Sequence, residues 1–543
     1  MTTLRTAFLA GTAGYRTMLG EGPQRRSRLG QIVAVAVAML GAVVAQLPGL
    51  LVGGAIGLVV MLLTNPSLNG DLIGKAINWW RWRTRTKAGM DQYVPFTEDA
   101  ERSAMNTAGA RARRRALGAV RQMPDGAAGM GWLQNGAGVT GIAWHQPPNG
   151  EAEYLSVAYE VEGRMRGFES RDNLNRGSEQ WGAFLASLGA DFSLCKQVQV
   201  LTRVLPPRAV LHERWAADHI DPALRATRFG MDLLSSYSEV LANAEAIGTV
   251  QRHYVVVRFD VDRDFRARAR RVGPDVEGWR RLMVTEIAAM TRRLELAGVG
   301  RVRPLSARQV AAMIRHCQQP SKDPDYVADI DPCNFGVASH DSRSVYVTED
   351  PGVDGNYRYT ATARIEAPNV DASAKNMFWI HEWLTNMPEP IIRSISFHVR
   401  VIPARIALPA ARKDETRDTA DVAARIKAGA LAADDAEAKR VAATIRANEL
   451  RPGTGHHGVE WIGFVTLTAR SLEDLERQSR ILTEKAATGL GVRRLEWCRE
   501  YQSAAAGYTW PIARGLVPHR GKGLGGRVES AISRVDQPKE TLG

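Results

Sequence analysis

The sequence predicts an α+β protein: an N-terminal two-helix transmembrane hairpin followed by tandem ferredoxin-like (split βαβ) cytoplasmic domains. Three observations predict it. Residues 29 to 64, LGQIVAVAVAMLGAVVAQLPGLLVGGAIGLVVMLLT, contain no charged side chain. From about residue 128, runs of β-branched and aromatic residues alternate with helical runs. That rhythm passes through the chain twice, over 128–330 and over 331–515.

Residues 1–28 are polar and without a clear period, and read as an extended cytoplasmic lead. The apolar run of 29–64 is too long for one spanning helix, which takes roughly 17 to 25 residues, and just long enough for two. Pro48-Gly49 at its midpoint is a turn signal. Arg16, Arg25, Arg26 and Arg28 precede the run, and Lys75, Arg81, Arg83, Arg85 and Lys87 follow it. Positive flanks stay inside, so the expectation is a multi-pass protein of the inner membrane with both termini cytoplasmic.

Residues 65–127 read as an interfacial helix and a basic linker. Asn65-Pro66 stops the second arm, and 71–88 mixes three Trp with basic residues. Trp prefers the headgroup level and cations there meet anionic lipid, which makes Trp79, Trp80, Arg81, Trp82, Arg83 and Arg85 the expected membrane-interface residues. The same mixture suits stacking on single-stranded nucleic acid. Arg111, Arg113, Arg114 and Arg115 form a second basic cluster.

Trp132–Trp144 and Tyr154–Val161 read as paired strands around a Pro147–Gly150 turn, and Cys195–Val204 and His253–Val261 as further strands. Helices are expected over 178–188, 221–247, 279–296 and 306–317. In the second half, 344–347, 358–365, 395–402, 460–468 and 492–495 read as strands. Residues 372–385, 414–450 (with a bend at Gly429) and 471–487 read as helices. Residues 516–543 are Gly- and charge-rich and read as a disordered tail.

Composition narrows the function. Lys and Arg number 71 against 58 Asp and Glu, a net charge of +13. That suits an anionic membrane face, nucleic acid or an acidic protein. The four cysteines, Cys195, Cys317, Cys333 and Cys498, form no CxxC pair; reduced thiols are expected rather than a disulfide framework or a zinc site. The sequence holds no GxxxxGK[ST] phosphate loop, no GxGxxG after a strand, no HExxH and no GxSxG. Gly453–Gly458, GTGHHG, precedes a strand and reads as a loop. His381-Glu382 reads as the polar edge of a core helix. Arg208, His212, Glu213, Arg214 and Trp215 read as a structural ion-pair cluster. No catalytic residue, cofactor or metal ligand is assigned, and the expectation is a protein that is not an enzyme.

A known layout carries these features. A two-helix hairpin leading into GWLQNGAGVTGIAW–YLSVAYEVEG, HYVVVRFDV, SISFHVRVIP and EWIGFVTLTARSLEDLERQSRIL resembles an actinobacterial family of integral membrane proteins of conjugative, type IV secretion-like elements. These look like a small inner-membrane subunit fused to the non-nucleotide N-terminal region of the conjugation ATPase. The EccE component of type VII secretion is similar in layout. The resemblance implies a non-catalytic scaffold, oligomeric in its complex. Its implied partners are membrane lipid, a separate hexameric P-loop ATPase and other secretion-complex membrane subunits, with nucleic acid met only indirectly. Trp215, Phe378 and Trp379 are the expected partner contacts. The rival classes are a membrane-bound enzyme and a DNA-binding adaptor using the two basic segments.

Overall fold

The computed structural model describes residues 3–9, 22–64, 72–148, 152–163, 169–207, 215–216, 218–349, 356–371, 373–427 and 434–516. The architecture is α+β, and among these residues 14 strands form one continuous sheet.

A short strand, β1 (Thr6–Phe8), lies apart from that sheet and pairs antiparallel with β13 (Ala374–Asn376). The large sheet takes in β2 (Gln92–Pro95), β3 (Val120–Arg121), β4 (Met130–Gln134), β5 (Ile142–His145), β6 (Tyr154–Val161), β7 (Cys195–Leu205), β8 (Val250–Asp260), β9 (Val302–Pro304), β10 (Ser339–Asp341), β11 (Tyr346–Glu349), β12 (Tyr357–Glu366), β14 (Ile392–Ile402), β15 (Gly458–Ala469) and β16 (Glu496–Trp497). Its order is β3-β2-β10-β11-β12-β15-β14-β7-β8-β6-β5-β4, with β16 on β12 and β9 on β6.

That order contains the same unit twice. In the first half β7, β8, β6 and β9 lie side by side and antiparallel; in the second, β14, β15, β12 and β16 do the same. Numbered within each unit, both read 2-3-1-4, the arrangement of a split βαβ. Each unit carries a hairpin on the same edge as its fourth strand: β4–β5 beside β6, and β10–β11 beside β12. The units join through their second strands, which pair antiparallel from Arg393↔Val204 to Arg400↔Gln197. A sheet edge is a row of unpaired backbone groups, and this junction uses one edge of each unit to satisfy the other.

Helices Arg171–Leu188, Arg263–Val272 and Asp275–Leu296 cover one face of the first unit. Phe184, Leu188, Phe265, Met283, Met290 and Leu294 meet Val157, Val198, Val255 and Val257 there. Ser306 caps helix Ala307–Gln318 in a reciprocal box with Gln309. Helix Leu472–Lys485 covers the second unit and packs Leu475 and Leu482 on Ile365, Val465 and Leu467. The charged stretch after β14 is two helices, Ala404–Lys427 and Asp434–Glu449, tied by Arg446 to Asp414 at 3.6 Å. Gly429 lies outside the described residues.

Several expectations change. The expected helix 372–385 is instead the strand β13 and a single turn, His381–Leu384. Two helices, Glu98–Met105 and Ala110–Ala119, occupy the expected linker. The lead is partly docked: β1 pairs with β13, and the Leu9 carbonyl accepts from the Trp461 indole at 3.3 Å. Of the expected disordered tail, 516–543, Leu516 is buried in the fold and residues 517–543 lie outside the described residues.

The largest correction concerns the N-terminal hairpin. The helical segment Gly22–Thr64 reverses at Gln46, where φ is +47°. Its arms touch backbone to backbone: a Cβ on Gly41 would lie 2.2 Å from the Gly49 carbonyl oxygen, one on Gly53 2.7 Å from that of Val37, and one on Gly57 2.9 Å from that of Ala34. Yet among the described residues no helix is long and apolar enough to cross a membrane. A bilayer core takes about 20 apolar residues per helix, and the reversal divides the run into arms shorter than that. The transmembrane hairpin, the membrane keywords and the multi-pass inner-membrane localisation are therefore withdrawn.

Candidate functional site

The expected interface residues lie on helix Leu72–Ala88, which has an outer and an inner face. Trp79 and Trp80 are 47% and 64% exposed. Arg81 and Arg83 are exposed beside them, and the Arg83 guanidinium sits 5.3 Å from the centre of the Trp79 ring. Trp82 is half-buried. Arg85 faces inward, into a polar junction described below. Helix Ala110–Ala119 is welded to this helix through two glycines. A Cβ at Gly118 would lie 1.9 Å from the Ala88 carbonyl oxygen, and one at Gly89, which sits at φ +77°, 1.9 Å from that of Arg115. Backbone cannot yield as a flexible side chain does. Gly118→Ala is expected to cost about 1–3 kcal/mol in urea unfolding, and an unchanged midpoint would show that the weld does not exist.

The expected partner contacts are scattered. Trp215 is exposed and stacks on His219 at 4.7 Å; its neighbours Arg208, His212, Glu213 and Arg214 lie outside the described residues. Phe378 is exposed and meets His381 edge-on at 6.4 Å. Trp379 is half-buried and packs on Phe397 at 5.6 Å. Glu382 pairs with Lys485 at 3.1 Å, which is a structural contact. His457 of the GTGHHG loop accepts from the Ala404 amide at 3.1 Å, tying the loop to the start of a helix. Cys195, Cys317 and Cys498 are buried free thiols, and burial pushes Cys195 and Cys498 up to about 12.

Two buried polar assemblies have no counterpart in the sequence reading. The first joins four elements: helix Leu72–Ala88 through Arg85, the turn Asp125–Ala127, β10 through Asp341, and helix Gln502–Ala506 through Ser503. Arg85 Nη2 donates to Asp125 Oδ2 at 2.8 Å and to the Met90 carbonyl at 3.0 Å, and lies 3.4 Å from Asp341 Oδ2. Arg121 holds the other Asp125 oxygen at 3.0 Å, and Arg115 holds Asp91 at 2.9 Å. Ser503 Oγ is 2.8 Å from Oδ2 of both Asp125 and Asp341.

One hydroxyl proton cannot serve two carboxylates. The second contact requires a proton on one carboxyl, and Asp341 is the one placed to hold it. Burial pushes its acid up to about 7, against the opposing pull of Arg85 and Ser503. While Asp341 holds that proton, the order runs from Asp341 to Ser503 Oγ and from Ser503 to Asp125, whose two oxygens Arg85 and Arg121 also hold. These contacts join four elements, so the cluster works as a latch between the N-terminal helix, the sheet and the C-terminal segment.

The second assembly lies under residues 502–516, which cross the sheet as a strap. Gln199 uses both ends of its amide: Nε2 donates to the Trp510 carbonyl at 2.9 Å, and Oε1 accepts from the Ala513 amide at 2.8 Å. His398 Nε2 donates to the Tyr508 carbonyl at 2.9 Å. Burial holds this imidazole down to about 4, so it is a neutral donor. Tyr154 donates its hydroxyl to the Ile512 carbonyl at 3.1 Å, with its ring between His145 and Arg258. Arg514 reaches the Gly126 and Ala128 carbonyls at 2.9 and 2.6 Å. Gln199 belongs to the first unit and His398 to the second, so the strap staples the two together.

Compared with known proteins, the chain matches no family model and no curated protein.

Proposed function

We propose that this chain is a non-catalytic structural subunit that docks other proteins, with the hairpin as its principal docking surface. One observation carries the reading. The hairpin is packed inside out: glycines and alanine line the contact between its arms, and the large side chains point outward. Val43, Val44, Leu51 and Leu40 are 84%, 78%, 69% and 68% exposed. Contiguous apolar surface of this kind marks an interaction site. The occupant it suits is an apolar helical face of a partner chain. The resemblance supplies candidates: a separate P-loop ATPase and sister subunits of a transport machine. The strap and the latch support a rigid-scaffold role, since both spend their polar groups on joining elements.

Affinity capture of the tagged full-length protein from its own cells, with mass spectrometry, tests this. A P-loop ATPase or sister subunit recovered in stoichiometric amount is expected. The exposed double variant Val43→Glu/Leu51→Glu is expected to lose that partner while keeping its circular dichroism. Two results would overturn the reading: a partner-free monomer, or purified protein that inserts its hairpin into lipid vesicles and is indifferent to partners.

A further inference from the structure

Helices Leu72–Ala88 and Ala110–Ala119 meet at the Gly89 and Gly118 contacts and lead into β2 and β3, which pair in parallel at one edge of the sheet. The two basic segments thus share one edge of the molecule. Neither helix contains an acidic residue. Their arginines divide by direction. Arg85 and Arg115 face inward and hold Asp125 and Asp91. Arg81, Arg83, Lys87, Arg111, Arg113 and Arg114 face solvent, and among the described residues none has a carboxylate partner. In the adjacent helix Glu98–Met105, Glu98 and Asp99 are engaged by its own Arg102 at 3.2 Å, and Glu101 is half-buried with no ion pair to these cations. Trp79 and Trp80 stand exposed among these cations.

We propose that this edge binds single-stranded nucleic acid. Exposed indoles beside unpaired cations are what a single strand needs: stacking platforms for bases, and charge that follows the backbone. The residue type favours a phosphodiester over a diffuse anionic surface. Five of the six outward cations are arginine, whose planar guanidinium grips a phosphate in bidentate fashion and stacks on bases. Binding of this kind is tolerant of sequence and steeply dependent on salt. Its residues lie on other helices than the outward side chains of the hairpin, so the variants below test it apart from protein docking.

Fluorescence anisotropy of a labelled 20-nucleotide oligo-dT against the full-length protein, titrated at several salt concentrations, is the test. Arg111→Gln/Arg113→Gln/Arg114→Gln is expected to weaken binding at least ten-fold and to reduce the salt slope by about two, at roughly 0.7 per phosphate lost. Trp80→Ala is expected to weaken it about ten-fold with the slope unchanged, since stacking releases no counterion. Arg263→Gln/Arg270→Gln, which removes two exposed arginines from another helix, is expected to do little. Equal losses from that control would mean bulk charge alone and overturn the proposal. So would failure to bind oligo-dT at low salt, or a preference for phosphatidylglycerol vesicles that oligo-dT does not compete away.

Discussion

Replacing Trp510 with alanine is expected to lower stability by about 3–5 kcal/mol and to release the C-terminal strap. Trp510 is 1% exposed and lies in a core cluster with Met130, Leu305, Met313, Ile512 and Ala127. Its ring is pressed so closely on the turn at residues 125–127 that a Cβ on Gly126 would lie 2.6 Å from it. Deleting such a ring removes its transfer energy and leaves a cavity that the sheet behind it cannot fill. The loss extends beyond packing. The Trp510 carbonyl is an acceptor for Gln199, and its neighbours Tyr508 and Ile512 are acceptors for His398 and Tyr154. A displaced strap leaves those buried groups without partners, which adds to the cost. Urea unfolding gives the energy, and limited proteolysis reports the strap. The variant should be cut near residues 500–516 under conditions in which the parent is intact. A loss below 1 kcal/mol with no new cleavage would show that the strap does not staple the two units.

Asp341→Asn is expected to act in the opposite direction at alkaline pH. The Asp341 acid lies at about 7 in the folded protein against an ordinary 3.8. Between those values the folded state holds a proton that the unfolded state has lost. Stability contributed by this group therefore falls as pH rises from about 4 to 7, and is flat above that. The change is on the order of a few kcal/mol, set by the width of the window. Asparagine keeps the shape and the donor of the protonated acid without its ionisation. The variant should therefore be more stable than the parent at pH 8, similar to it near pH 4, and lacking the parent's decline between. Thermal melts across that range provide the measurement. A parallel pH profile for the two proteins would mean that Asp341 is ionised in the latch throughout, and that the proton order from Asp341 through Ser503 to Asp125 is wrong.

Much of the sheet was legible in the sequence because its strands are rich in Val, Ile, Tyr and Phe and are bounded by turn residues. HYVVVRFDV and EWIGFVTLT fall within β8 and β15 and their immediate flanks, and β5 and β6 pair antiparallel, while Asn149 and Gly150 of the expected turn between them lie outside the described residues. The helix expected over 372–385 failed because FWIHEWL packs Trp379 and Trp383 on the second unit as an irregular segment, with only one helical turn and with Phe378 left exposed. Tertiary contact there overrides a short apolar period.

The latch and the strap were not legible, and the reason is physical. Asp125, Asp341 and Ser503 are far apart in the chain and belong to no motif; only the edge of the folded sheet brings them within 2.8 Å of a shared atom. A signal for the strap did exist. Gln199, Ser394, Ser396, His398, Thr362 and Thr466 alternate with apolar residues along four strands, and such alternation ordinarily marks a face open to water. Their type was the clue: apart from the histidine they are small or uncharged polar residues, where a solvated face would carry Lys and Glu. All six are buried, and Gln199, His398, Thr362 and Thr466 bond to the C-terminal segment.

By itself, then, the sequence determined the α+β class, most of the long strands, the two-fold rhythm and the apolar hairpin, because each depends on local periodicity and residue type. The strand expected over 492–495 is instead the two residues of β16, and Trp132–Trp144 is divided between β4 and β5. Only the tertiary structure decided that the two units share one sheet through β7 and β14. It alone turned Arg85 inward while leaving Trp79 and Trp80 outside, and left no described helix long and apolar enough to cross a membrane. Those outcomes depend on which surfaces meet, and contact between residues hundreds of positions apart is not encoded in any local pattern.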